Sequence, residues 1–154
     1  MGTSTDAILC YGISVDEGDE LPWSDRDKYD DGIYDWWIEE SRWKPSIQPY
    51  DEDGEPLPNV SKEAIDRYHQ ERYNFSKTHP LPIELVEHCS YEYPMSIIAV
   101  PGTVTRASRG FPEAIDEDAI KCPAPLSDIA AMREFCKKYS IAGEEGWWLA
   151  SMWG

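Results

Sequence analysis

Residues 143–154 read GEEGWWLASMWG, with three tryptophans among the last eight positions. Laid out as a strand, this stretch sends Trp147, Leu149, Ser151 and Trp153 to one side and Trp148, Ala150 and Met152 to the other. Bulky apolar groups on both sides suit a strand inserted between two others, with helices over at least one face. The sequence therefore predicts a strand inside the sheet, with its tryptophans in the core.

The remaining elements arrange themselves around that strand. Residues 6–15 alternate, with Ala7, Leu9 and Tyr11 opposite Ile8, Cys10 and Gly12, and both sets are apolar enough for an interior strand. LPIELVEHCS (81–90) and PMSIIAVPG (94–102) read as two more strands and TVTRAS (103–108) as a third. IYDWWIEESRW (33–43) suits a short helix stopped by Pro45. Ser61 caps a helix through residue 79 whose stripe is Ile65, Tyr68, Arg72 and Phe75, with Pro80 as its stop. A further helix over 125–141 takes Ser127 as its cap and places Ile129, Met132, Cys136 and Tyr139 on one stripe. Asp53-Gly54 marks a tight turn. These pieces predict an α+β fold: a single compact domain over 1–154, with a mixed or antiparallel sheet of about 4–6 strands and about three helices. An acidic, loop-rich region over about 16–59 interrupts it.

The net charge of −16 is unevenly spread. Residues 1–66 carry 18 acids against 5 bases, and residues 67–154 carry 12 against 9. Phosphate contacts need Lys and Arg, so direct nucleic-acid binding by the acidic half is not expected. A basic partner surface or a cation is its natural complement. Hydrophobic residues at 41% and aromatics at 12% set the chain apart from disordered acidic tails. No apolar run approaches the roughly 20 residues of a membrane span, and no basic head with an apolar run opens the sequence. Cys10, Cys89, Cys122 and Cys136 lie without a CxxC pair, so reduced thiols in a cytoplasmic protein are expected.

Four tryptophans, Trp23, Trp36, Trp37 and Trp43, lie within the acidic half. Aromatic anchors ringed by charge describe a protein interface, while packing over the sheet is the competing use. On a helix, Trp36 and Trp37 point about 100° apart, so one of them is expected to be partly exposed. The predicted partner surface comprises Trp23, Asp25, Asp27, Asp30, Asp31, Asp35, Trp36, Trp37, Glu39 and Glu40. A calcium loop starting at Asp27 fails, because Tyr29 and Ile38 stand where oxygen ligands belong. His88 and Cys89 are neighbours on a strand and point apart, so they make neither a nucleophile–base pair nor a metal pair. No metal and no cofactor are therefore expected. Arg106, Ser108 and Arg109, between Gly102 and Gly110, are the one stretch suited to a small anion, though Walker spacing is absent.

Landmarks across the chain carry a resemblance: GTSTDAILCYGI (2–13), ELPW (20–23), DWW (35–37), KPS (44–46), DEDGE (51–55), HPLPIELVEHCS (79–90), PMSIIAVPGT (94–103), ASRGFPEA (107–114) and GWWLASMWG (146–154). With them, the chain resembles a family of small acidic proteins encoded by tailed bacteriophages and prophages. The resemblance brings no activity and no catalytic residues. It implies a setting, the reducing cytoplasm of an infected bacterium.

Charge, tryptophans and resemblance together predict a non-enzymatic phage accessory protein that docks on a basic host protein, for example a defence or nucleic-acid-binding protein. In a stronger form the carboxylates mimic a phosphate backbone. The alternatives are a small enzyme or anion- or nucleotide-binding protein built on Arg106–Arg109, and a virion or assembly component. Monomer and homodimer both stay open.

Overall fold

A computed structural model describes residues 5–15, 20–24, 32–90 and 94–153. In chain order the elements are β1 (Thr5–Ser14), α1 (Gly32–Glu40), α2 (Lys62–Thr78), β2 (Glu84–Ser90), β3 (Pro94–Ala99), β4 (Thr105–Ala107), α3 (Glu117–Lys121), α4 (Leu126–Lys138) and β5 (Glu144–Trp153). The protein is α+β, with one mixed five-stranded sheet. The chain gathers into two compact units, Met1–Pro22 with Pro82–Gly154, and Trp23–Leu81.

In the sheet unit the strand order is β3-β2-β5-β1-β4, so β5 sits between β2 and β1, as its two apolar faces predict. It pairs antiparallel with β1 along ten residues, from Thr5 opposite Trp153 to Ser14 opposite Glu144. β3 also pairs with β1, through Gly12–Ser14, and the sheet closes on itself. Gly12 makes that approach possible, because a β-carbon there would lie 2.2 Å from the Ile98 carbonyl oxygen. Along its other edge β1 is met first by β4, at Ala7–Leu9, and then by β3. Tyr11 falls between the two, where the Thr103 hydroxyl accepts its amide at 3.2 Å and the Val100 amide donates to its carbonyl at 2.9 Å. The switch of partner strand therefore leaves no unmet backbone group at Tyr11.

Closure also bends β2. Three antiparallel pairs and one parallel pair cannot close a ring of straight strands, so one strand must change direction. The parallel contact with β5 is confined to Cys89 and Ser90, and Cys89 has a φ of +79°, rare for a side-chain-bearing residue.

The core follows the two-residue period. Ile8, Cys10, Val86, Ile97 and Ala99 are at most 1% exposed, with Val104, Trp148, Ala150 and Met152 packed against them. Glu145, Tyr11, Ile13 and Ile98 share the opposite face. There α4 is tied down by Arg133, which donates to both Glu145 carboxylate oxygens at 2.7 Å, while Tyr11 Oη donates to Oε1 at 2.7 Å. Ile129, Met132, Phe135 and Cys136 are the buried stripe of α4.

Two expectations are corrected. Trp153 is 56% exposed and Leu149 78% exposed, so this side of β5 is not core at that end. The contacts from α3 and α4 reach Glu145 and Trp147, at the other end of the strand, and stop short of both residues. Ser127 does not cap α4. The cap is Pro125, one residue ahead of the first turn, and the Ser127 hydroxyl donates to Asp128 at 3.0 Å.

Candidate functional site

The Trp23–Leu81 unit carries the most chemistry in the least space. Its longer helix, α2, begins at Ser61, whose hydroxyl accepts the Ala64 amide at 3.3 Å. The expected stripe is present, but half-buried: Ile65, Tyr68, Arg72 and Phe75 face one way, and no side chain of α2 is fully buried. Its partners are accordingly rings and polar groups. Glu71 accepts the amide of Ser46 at 2.9 Å and also its hydroxyl, and these bonds hold its carboxyl below the usual range.

α1 delivers the first ring. The helix ends with Arg42 at φ +59° and the Trp43 amide donating to the Ile38 carbonyl at 3.2 Å. That left-handed turn normally takes glycine and costs a side-chain-bearing residue about 1 kcal/mol. It carries Trp43 to Tyr68, with ring centroids 5.2 Å apart and planes at 62°. Tyr50 also meets Tyr68, at 5.4 Å and 72°, and its hydroxyl shares a 2.8 Å hydrogen bond with His69 Nε2.

Directly after Tyr50 comes the acidic turn. Asp51 Oδ1 accepts the amides of Asp53 and Glu55 at 3.0 and 2.9 Å, and Gly54 takes φ +80°. A side chain folded onto its own turn is the role that Asp plays well. The cost is an unusual crowding of charge at the turn, since Glu52 and Asp53 are exposed and meet no cationic side chain among the described residues.

These parts border a solvent-open hollow of about 520 Å³. Its lining includes three aromatic residues, Trp43, Tyr50 and Tyr68, and five acidic ones, Asp35, Glu39, Asp51, Glu52 and Asp53. Arg72 is the single Lys or Arg in the lining, and it is ion-paired with Asp35. Carboxylates thus outnumber cationic side chains five to one in the lining, beside three half-buried aromatic rings. Such a site can bind a cation through both ring quadrupoles and carboxylates.

The predicted partner residues divide. Asp35 and Glu39 line the cavity, and Glu40 is exposed on α1. Trp23 and Trp36 are 7% and 9% exposed, with ring centroids 5.1 Å apart, so neither stands at the surface. Trp37 is half-buried, and its indole nitrogen donates to the His79 carbonyl at 3.0 Å. The helical 100° offset thus separates the pair as expected. Asp25, Asp27, Asp30 and Asp31 lie outside the described residues. Tyr50, Tyr68 and His69 were not expected at a site. Their signal was slight: one tyrosine preceding the DEDGE turn and another on a helical stripe.

The anion stretch does not converge. Ser108 and Arg109 line a hollow of about 610 Å³ in the sheet unit, with Ala7, Ala107, Phe111 and Ser151. Arg106 pairs in register with Ile8 and belongs to the opposite face from Ala107. Elsewhere in this unit, burial holds the His88 imidazole below its usual range and pushes the Cys10 and Cys136 thiols up to about 11, far from reactive thiolates.

Among the described residues no helix is long and apolar enough to cross a membrane, and no three His, Cys, Asp or Glu side chains come together to hold a metal ion. No family model matches the chain, and no curated protein or solved structure matches it.

Proposed function

We propose that this protein works by protein–protein contact, docking the acidic, aromatic surface of its Trp23–Leu81 unit onto a basic partner. The observation that carries the proposal is the 520 Å³ cavity, where five carboxylates and one ion-paired arginine surround three half-buried rings. Rigid aromatic side chains amid charge combine a large contact area with electrostatic steering of a basic surface. The neighbouring run Asp25, Asp27, Asp30 and Asp31 extends the same charge along the sequence. The resemblance to phage-encoded acidic proteins supplies the setting. The partner is a basic host protein in the bacterial cytoplasm, and the outcome of docking is its inhibition.

Affinity capture from a nuclease-treated bacterial lysate tests the proposal. A basic protein should be retained at low salt and released as salt rises, since exposed charge pairs are screened. The fourfold variant Asp25→Lys, Asp27→Lys, Asp30→Lys and Asp31→Lys should keep its fold, by thermal melt and circular dichroism, and lose that partner. A folded variant that still retains it would overturn the proposal.

A further inference from the structure

We infer that the cavity of Trp43, Tyr50 and Tyr68 receives one alkylammonium side chain, a lysine or a methylated lysine, from the partner. The inference rests on the docking surface proposed above and names its anchor.

Geometry, charge and size all lead to this occupant. Trp43 and Tyr50 each meet Tyr68 edge to face, at 62° and 72°, and all three side chains line the same hollow. A compact cation can touch several such walls at once, whereas a planar guanidinium is better served by a single parallel ring. All three rings are half-buried, so each is fixed by packing and still has surface to offer. The lining holds five carboxylates, and Arg72, the one arginine, is already bound to Asp35. An incoming ammonium thus meets a negative field whose internal cation is neutralised.

About 520 Å³ lies in the range of organic ligand sites. The carboxylates are also spread around the rings, because no set of three ligating groups comes together among the described residues. Glu52 and Asp53, on the turn after Tyr50, are exposed and line the hollow, where they are available to an incoming cation. Asp51 has another duty, since one of its oxygens holds the turn amides.

The test uses the full chain and four small probes: the Nα-acetyl N-methylamides of lysine, trimethyllysine, norleucine and arginine. Binding is read from the Trp43 indole N–H resonance, assigned with Trp43→Phe. Both lysine probes should shift it saturably, and neutral norleucine, of similar shape, should bind roughly 10-fold more weakly. The double variant Glu52→Gln, Asp53→Asn should weaken the lysine probes roughly 3-fold, with the resonance at its native position as the sign of an intact fold. Equal binding of norleucine would overturn the inference, as would tighter binding of arginine or the absence of any shift. Failure of the anchor is separable from failure of the docking surface. A captured basic partner that trimethyllysine does not displace would overturn the anchor alone. Probe binding by a protein that captures no basic partner would overturn the docking surface and leave the cavity's preference standing.

Discussion

The two units are held together by different chemistry. In the sheet unit, Ile8, Val86 and Ile97 are at most 1% exposed on one face of the closed sheet, and Ile98 is fully buried on the other. In the Trp23–Leu81 unit, α2 has no fully buried side chain, and its contacts are the rings of Trp43 and Tyr50, the Arg72–Asp35 ion pair and the Ser46–Glu71 hydrogen bonds. Fully buried aliphatic residues stabilise the fold by exclusion of water and present no surface to a partner. Half-buried rings give part of that stabilisation and keep a face for recognition. The difference fits the proposed docking surface, which lies on the unit with the half-buried rings.

The sharpest way to break this contrast is at Gly12. A β-carbon there meets backbone atoms of Ile98 and Ala99, which cannot swing aside as a side chain would. Gly12→Ala should therefore destabilise the sheet unit by about 3 kcal/mol or more, read by chemical denaturation. A loss below about 1 kcal/mol would mean that the β1–β3 closure does not hold the unit together.

Next comes a matched pair of substitutions. Ile97→Ala leaves a cavity in the aliphatic core and should cost about 2–5 kcal/mol. Tyr68→Leu removes three ring contacts, with Trp43, Tyr50 and His69, from a half-buried position and should cost about 1–2 kcal/mol. Equal losses in the two denaturation curves would erase the distinction between the units.

A smaller effect depends on pH. Hydrogen bonds from Arg133, then from Tyr11, hold the Glu145 carboxyl below its ordinary value of 4.5. A depressed carboxylate adds stability above its unfolded pKa and loses it as pH falls through the folded one. The wild type should therefore lose stability on acidification relative to Glu145→Gln, with the two curves converging in acid. His88, lowered by burial, also favours the folded state at higher pH, but it is present in both proteins and cancels. Because Arg133 is 58% exposed, solvent keeps the effect below that of Tyr68→Leu. Parallel curves from neutral pH down through the carboxylate range would show that the ion pair contributes nothing.

The smallest effect belongs to the exposed end of β5. Leu149→Ser should change stability by no more than about 0.5 kcal/mol, read by the same unfolding curves. A large loss would return this face to the core, where the sequence placed it.

Much of the scaffold was legible because local rules set it. β1 and β5 could be read from their two-residue period, α2 from Ser61 and its apolar stripe, and the acidic turn from Asp53-Gly54. Closure of β3 onto β1 was not, since it depends on a missing β-carbon at Gly12 and on Thr103, 92 residues from the amide it accepts. Exposure of Trp153 depends on where the helices end over the sheet, which no period encodes. At the site, Asp35, Glu39 and Trp43 were legible as parts of an acidic, tryptophan-bearing region, whereas Tyr50, Tyr68 and the Asp51–Asp53 carboxylates were not placed there. Trp43 is aimed by a left-handed Arg42, where neither Gly nor Asn marks the turn. Tyr50 and Tyr68 meet only after the chain between them folds back.

The most direct measurement is the affinity of the captured basic partner for wild type and for Glu52→Lys, Asp53→Lys, compared at low and high salt. Both residues are exposed and carry no ion pair among the described residues, so their reversal leaves the fold intact. Binding through this surface predicts at least a roughly 10-fold loss at low salt, shrinking as salt screens the repulsion. Unchanged affinity at both salt concentrations would contradict it.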